Sequence, residues 1–462
     1  MYLKKIKNLM NILRLFLVIF GLNCLTSASA SEGVRIALDE GTQLRYFNQL
    51  QHAGLVVMSA QQKSTLYEKN AQQFFIPAST TKLITALLAL QHWGADYRFK
   101  TEFYVTEGFK EGWGDENKKL NSLFYKLQIK GYGDPFLVSE ELAFVVKQLA
   151  QRLKQQGVFH LAGVQLDTRY YEGGVKFSGA SQTDNPYDAI SSALAANFNT
   201  LYIQKTAEGF ISAESQTPMT PTAHVLAREI KSFKQARYGL KKRINLGQNE
   251  TIAQRYFAEL LMAFLRQEGI VVEGNVEWQP ISKTARPLYV HRNRHTLAEV
   301  ILPMMKYSTN FIANQLALNL SREVSGRPAS AQTVTEVYQQ RLTEQFGWQA
   351  FTLKEGAGLS RENRLSPEQL IDVLTAFEPW RDLLPEIEKN VYAKSGTLLG
   401  VSTLAGYLFH EVNNEINWYP FAVMMNQKVP YRYRNKLARE LRMSLTSGSL
   451  FKNENRNERK SF

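Results

Sequence analysis

The stretch Ile76-Pro77-Ala78-Ser79-Thr80-Thr81-Lys82-Leu83-Ile84-Thr85-Ala86-Leu87-Leu88-Ala89-Leu90 decides how the rest of the chain reads. From Thr81 to Trp93 it is rich in Leu, Ala and Ile, and Gly94 follows. That pattern predicts a buried helix that begins just after Pro77 and stops at the glycine. Ser79 and Lys82 stand three residues apart at its first turn and share one face, about 5–6 Å apart. The positive helix end and burial beside Leu83 and Ile84 both disfavour a charged lysine. A neutral amine beside a hydroxyl can take its proton, so Ser79 is a candidate nucleophile and Lys82 its base.

Alone, an S-x-x-K spacing is weak, because ordinary composition yields it roughly once or twice in a chain of this length. Ser449-Leu450-Phe451-Lys452 also fits, in a polar tail with no helix after it. Two further motifs, in order along the chain, give the first one meaning. Ser308-Thr309-Asn310 joins two helical runs, Thr296–Lys306 and Phe311–Ser321, and such a junction can project both side chains into a cleft. Ser308 suits a proton bridge between Lys82, Lys394 and a leaving amine. The Asn310 amide both donates and accepts, which suits holding a substrate peptide group and Lys82 together. Lys394-Ser395-Gly396 lies in Tyr392–Leu398, which reads as a strand, and Gly396 permits close approach of another backbone. An extended peptide can add alongside such a strand. Lys394, with the Ser395 and Thr397 hydroxyls, suits a terminal carboxylate, and the N–H groups of Ser79 and Thr397 form a natural oxyanion pair.

Strand signals at both chain ends suggest one α/β domain assembled from the two termini. Leu55–Ser59 and Thr65–Tyr67 read as a hairpin about Gln61-Gln62-Lys63. Val401–His410 and Trp418–Gln427 read as two strands joined through Asn413-Asn414. A basic amphipathic helix follows, roughly Tyr431 to Leu445, with one face on the sheet and its charges in water. The middle of the chain differs. It alternates short strands, such as Tyr125–Lys130 and Gly163–Asp167, with a helix of about Glu140–Gln156, N-capped by Ser139 and ended by Gly157. The expected domains are therefore a catalytic one from residues 31–98 and 289–447, inserted accessory domains over 99–288, and a polar tail over 448–462.

Residues 1–30 read as a secretion signal: Lys4, Lys5, Lys7 and Arg14, an apolar core from Leu15 to Leu22, and Ala28-Ser29-Ala30 for cleavage. Cys24, the one cysteine, lies inside it, and Asn23 makes a poor lipobox. Cleavage after Ala30 then excludes disulfides, thiol catalysis and zinc–thiolate sites. The formal charge of +13 falls to +9 without the four basic residues of that segment, which holds no acid. A basic exported protein suits an anionic envelope polymer or a membrane surface, with membrane association at most peripheral. Its basic residues are dispersed, so nucleic acid is not an expected partner. The expected location is the periplasm of a Gram-negative cell, or otherwise the cell wall or medium.

Taken together, the motifs resemble those of the class C, low-molecular-mass penicillin-binding proteins, D-alanyl-D-alanine carboxypeptidases and endopeptidases of peptidoglycan. Gly131-Tyr132-Gly133-Asp134-Pro135, Gly356-Ala357-Gly358-Leu359-Ser360-Arg361, Asn363-Arg364 and Gly406-Tyr407 extend the resemblance over nearly all of the mature chain. Two departures stand out: Glu355-Gly356-Ala357-Gly358 stands where the family usually has Asp-Gly-Ser-Gly, and Ser395 replaces the usual threonine. The resemblance implies a β-lactamase/DD-transpeptidase-like domain, an antiparallel sheet flanked by helices, with two nested insertions. It implies an acyl-enzyme on Ser79, acylation by β-lactam antibiotics, no cofactor and no metal. It further implies that Asp167 reaches from the insertion toward the amine of a substrate side chain.

Other readings fare worse. A serine β-lactamase shares the three motifs but lacks such an insertion. A catalytically inactive peptidoglycan-binding protein would not need Ser79, Lys82 and Lys394 intact. His291 and His295 have helical i, i+4 spacing, yet no nearby carboxylate completes a metal site, so both are expected to be solvated. Asp134, before Pro135, is expected to form a turn.

Overall fold

The computed structural model describes residues 41–59, 63–113, 119–230, 237–412 and 415–446. The signal segment, the Gln61-Gln62 and Asn413-Asn414 turns and the polar tail lie outside the described residues. A six-stranded antiparallel sheet runs in the order Glu386–Glu388, Val391–Leu398, Val401–Val412, Glu415–Met425, Ala53–Ser59, Ser64–Lys69. The early strand Ala53–Ser59 pairs with the late strand Glu415–Met425, Val57 opposite Phe421, so the two ends of the chain share one sheet.

Side chains alternate across a strand, and both faces of this sheet are covered. Leu55, Val57, Leu404, Phe421 and Val423 pack with the helices Thr42–Gln49 and Tyr433–Thr446. Val56, Ala405, Ala422 and Met424 face the other way, into a core with the helix Thr81–Trp93. Every residue from Thr81 to Leu90 is buried, as a helix apolar on nearly all sides must be. That burial fixes Lys82 and the turn before it against the sheet.

The inserted region has its own hydrophobic cluster, whose buried members all fall between Phe103 and Val272. Its larger sheet has the order Val276–Trp278, Val164–Asp167, Lys119–Lys130, Lys100–Trp113, Tyr289–Arg292. A smaller one holds Phe210–Ser212, Thr200–Lys205 and Lys241–Asn245. Tyr289–Arg292, counted with the catalytic segments from the sequence, pairs with Lys100–Phe103 and so closes the inserted sheet.

Two local expectations change. The helix Ser139–Gln155 has Val138 at its N-cap, and Ser139 is its first residue. The Ser139 N–H donates instead to Asn197 Oδ1 at 2.8 Å, so a distant side chain does the capping. His291 is not solvated: it is buried, with Nε2 2.9 Å from Glu141 Oε1 and Nδ1 3.2 Å from the Tyr289 hydroxyl. Its neighbour in the pattern, His295, packs edge-on to Phe136. The pair fails as a helical motif because His291 ends up on a strand.

Phe421 is fully buried at the centre of the sheet. Phe421→Ala should cost about 3–5 kcal/mol, read as a lower urea midpoint with unchanged slope. A shift under about 1 kcal/mol would contradict the pairing of the two chain ends in one sheet.

Candidate active site

Ser79 occupies a single 3-10 turn, Ala78–Thr80, which feeds directly into the helix Thr81–Trp93. Three elements clamp that turn. The Pro77 carbonyl accepts from the hydroxyls of Thr80 and Thr403, both at 2.7 Å. Gly396 passes so close that a Cβ there would stand 2.8 Å from the Ser79 nitrogen. On the far side Gly358, at φ +85°, leaves no room for a Cβ against the Ala78 carbonyl. The nucleophile's backbone N–H is thereby held beside the strand that carries Thr397.

Lys82 is 0 % exposed, and its Nζ has three neighbours: Ser79 Oγ at 3.1 Å, Asn310 Oδ1 at 2.8 Å and the Ala357 carbonyl at 2.6 Å. This set has a chemical consequence. A neutral amine has two hydrogens and one lone pair. Asn310 Oδ1 and the Ala357 carbonyl are pure acceptors and take the two hydrogens, which leaves the lone pair for the Ser79 hydroxyl. Burial pushes the Lys82 pKa well below the usual lysine range, and the like charge of Lys394 pushes it the same way, against a raising effect from Glu355.

The Ala357 carbonyl is positioned by Glu355, a buried carboxylate whose role the sequence did not disclose. Glu355 accepts from the N–H groups of Ala357 and Gly358, each at 2.8 Å, and from Asn363 Nδ2 at 3.0 Å. The loop is thereby coiled around one acid. Gly356 ties it back, donating to Asn314 Oδ1 at 3.0 Å and accepting from the Thr85 hydroxyl at 2.7 Å.

Ser308 and Asn310 sit where the sequence put them, at the junction between the helices Leu297–Tyr307 and Asn310–Ser325. A capping box of Thr296 and Glu299 starts the first helix, and Ser308 ends it in the left-handed conformation, φ 58°. Asn310 is buried, so its side chain spans the cleft wall to Lys82. Its amide nitrogen donates to the Tyr187 carbonyl at 3.1 Å. Tyr187 belongs to the inserted region, which therefore touches a motif residue directly.

Lys394 is 1 % exposed on the strand Val391–Leu398, its Nζ donating to the Ser395 carbonyl at 2.8 Å. Burial first, and then the charge of Arg434, lower its pKa to about 7. Ser395 is half-buried and Thr397 exposed on the same strand. Arg434, from the helix Tyr433–Thr446, donates to the Gly396 carbonyl and, at 2.7 Å, to the Thr397 hydroxyl. The sequence reading had assigned that helix's charges to water.

Asp167, expected to reach toward a substrate amine, has charged and backbone partners of its own. It ends the strand Val164–Asp167 and is 3 % exposed. Arg169 takes its two oxygens at 2.9 and 2.7 Å, and the Ile281 N–H adds a bond at 3.0 Å. None of the motif side chains is among its partners. Asp134 does form its turn, accepting from the Phe136 N–H at 2.9 Å, and it is buried against Asn293 Nδ2. Among the described residues no group of three or more His, Cys, Asp or Glu side chains could hold a metal ion.

A buried lysine 3.1 Å from a serine hydroxyl, an asparagine bonded to it, and a strand held close beside them define a serine acyl-transfer enzyme of the penicillin-recognising class. The sequence profile of the D-Ala-D-Ala carboxypeptidase 3 (S13) family matches residues 37–385, and the chain belongs to that family. It is a class C low-molecular-mass penicillin-binding protein and a serine hydrolase. Among relatives, the D-alanyl-D-alanine carboxypeptidase DacB of Haemophilus influenzae is 25 % identical over 422 residues, 80 % of this chain and 85 % of that one. The crystal structure of penicillin binding protein 4 (dacB) from Haemophilus influenzae shares the fold with a TM-score of 0.66 at 21 % identity, covering 87 % of this chain and 100 % of that one. The same protein complexed with a β-lactam gives a TM-score of 0.62 at 21 % identity over 86 % of this chain and 98 % of the other.

Two measurements follow from this geometry. Unfolded, Lys394 keeps its proton up to about 10.5, whereas folded it loses it near 7. Between those values the unfolded chain binds more protons, so stability rises with pH across the window. Lys394→Met should flatten part of that rise in urea unfolding at the two ends of the window, and an unchanged slope would contradict the burial. Asp167→Asn should destabilise by about 1–3 kcal/mol, because a buried acceptor of Arg169 and Ile281 is weakened. It should leave unchanged the ratio of amine-bearing muropeptide turnover to penicillin acylation. A tenfold fall in that ratio would return Asp167 to the substrate.

Proposed function

We propose that the chain is a serine D-alanyl-D-alanine carboxypeptidase and DD-endopeptidase, acting on peptidoglycan stem peptides through an acyl-enzyme on Ser79. The observation that carries this reading is the buried Lys82 amine, 3.1 Å from Ser79 Oγ, with its two hydrogens spoken for. Ser79 Oγ attacks the carbonyl carbon of the penultimate D-alanine as its proton passes to Lys82. The N–H groups of Ser79 and Thr397 hold the resulting oxyanion. The C–N bond then breaks, and the leaving amine receives a proton relayed from Lys82 through Ser308. Water hydrolyses the ester, its proton returning by the same groups.

Asn310 would align Lys82 and the substrate peptide group. Lys394, Ser395 and Thr397 would dock the substrate's carboxylate, with Gly396 letting the extended peptide lie close to the strand. A β-lactam would acylate Ser79 in the same way, except that its leaving nitrogen stays tethered by the ring. The β-lactam complex of the Haemophilus protein supports this extension. The segments 31–98 and 289–447 would form the catalytic domain, and 99–288 the accessory domains; the separate hydrophobic cluster of the insertion supports that division. An exported enzyme of the periplasm or cell wall follows from the signal segment and the envelope substrate. Among the described residues no helix is long and apolar enough to cross a membrane.

Intact-mass spectrometry after penicillin treatment tests the reading: one adduct should map to a Ser79 peptide. Ser79→Ala should abolish both adduct and peptide cleavage while changing stability by no more than about 1 kcal/mol. Lys82→Arg should also inactivate, because a guanidinium cannot give up its proton there. A persistent adduct in the serine variant, or rapid turnover of penicillin by the native enzyme, would overturn the assignment.

A further inference from the structure

Arg434 is a cation on the docking strand that the reaction above leaves without work. It reaches the docking strand from the C-terminal helix, and a single nitrogen, Nη1, makes both of its bonds, to the Gly396 carbonyl and the Thr397 hydroxyl. A guanidinium has five N–H donors in a rigid fork. Those on Nε and Nη2 have no partner among the described residues, and no carboxylate pairs with this arginine. It is half-buried, and burial holds its pKa below the usual arginine range. A partly desolvated cation without a counter-charge, beside an exposed hydroxyl, is a poor structural anchor and a good half of an anion site.

The bond to Thr397 also orients chemistry. The Thr397 oxygen accepts from Arg434 at 2.7 Å, which leaves its own O–H free to donate. That hydroxyl and the free edge of the guanidinium offer the neighbouring donors that a carboxylate accepts. Lys394, whose Nζ donates to the Ser395 carbonyl, lies inside the strand and is close enough for Arg434 to depress its pKa.

We propose that Arg434 binds, together with the Thr397 hydroxyl, the carboxylate borne on the carbon next to the leaving nitrogen. This deepens the carboxypeptidase reading above and rests on it. Arg434 would then be a specificity residue that selects peptides whose leaving group is an amino acid with a free carboxylate.

The test compares two substrates on two enzymes: a peptide ending in D-Ala-D-Ala, and the same peptide ending in a carboxamide. Arg434→Gln should lower kcat/KM on the carboxylate peptide by about ten- to a hundredfold, the usual worth of a charged hydrogen bond. On the carboxamide, already poor for the native enzyme, the change should stay within about threefold. Arg434→Lys keeps the charge without the fork, so it should recover part of the loss. If the glutamine variant does not fold, the lysine variant carries the same comparison. Equal losses on both peptides would show that Arg434 merely holds the strand, and no loss on either would show that it does nothing; each overturns the inference. A native enzyme that neither releases D-alanine nor takes penicillin would overturn the underlying function instead.

Discussion

A primary amine sealed from solvent, with a serine hydroxyl and two acceptors as its neighbours, is the constraint on which the rest of this structure depends. Burying a lysine in a fully apolar site would be prohibitive if it stayed charged and unpaired. The Ala357 carbonyl and Asn310 Oδ1 lower that cost by satisfying two hydrogens, and the shift of Lys82 toward neutrality removes much of the rest. These partners come from sequence-distant elements. The helix Thr81–Trp93 supplies the lysine, the helix junction the asparagine, and the loop after Lys354 the carbonyl. The cluster can exist only in the folded chain, so the same burial that stabilises the helix also brings the Lys82 amine to Ser79.

The Glu355 loop shows how one charge shapes another at a distance. Its carboxylate is fully buried yet spends its oxygens on backbone N–H groups and on Asn363. Hydrogen bonds of that kind hold a tight loop. Through the loop it aims the Ala357 carbonyl at Lys82, and through space it opposes the two forces that neutralise that lysine. A shorter or uncharged residue at 355 would alter both together.

Much of the fold and most of the site were legible in the sequence because they rest on local patterns. Alternating strands at both ends, the apolar helix after Ser79 and the helical runs around Ser308 each carry their signal within a dozen residues. What stayed hidden depends on contacts between distant segments. Arg434 read as one solvated charge on an amphipathic helix, since nothing local says that the sheet edge turns beneath it. Asp167 read as a contact for a substrate amine, and its pairing with Arg169 two residues on went unread, because nearby opposite charges at a strand end do not announce that they will pair. His291 read as solvated because its acid, Glu141, lies far away in the sequence. Glu355 stood out only as a departure from the family pattern, with no hint that its loop would coil around it.

The insertion between nucleophile and relay acquires a physical reason in the same way. Inserting a long segment costs little chain entropy when its ends are held close, and here they are adjacent strands of one sheet, Lys100–Trp113 and Tyr289–Arg292. Its own hydrophobic cluster then makes it a packed body rather than a loop. It presents a backbone carbonyl, that of Tyr187, to the amide of Asn310. That bond fixes which end of the Asn310 amide faces Lys82, because a nitrogen that donates to Tyr187 leaves the oxygen for the lysine. The inserted region thereby sets the orientation of one motif amide, across the long stretch of chain that separates Ser79 from Ser308.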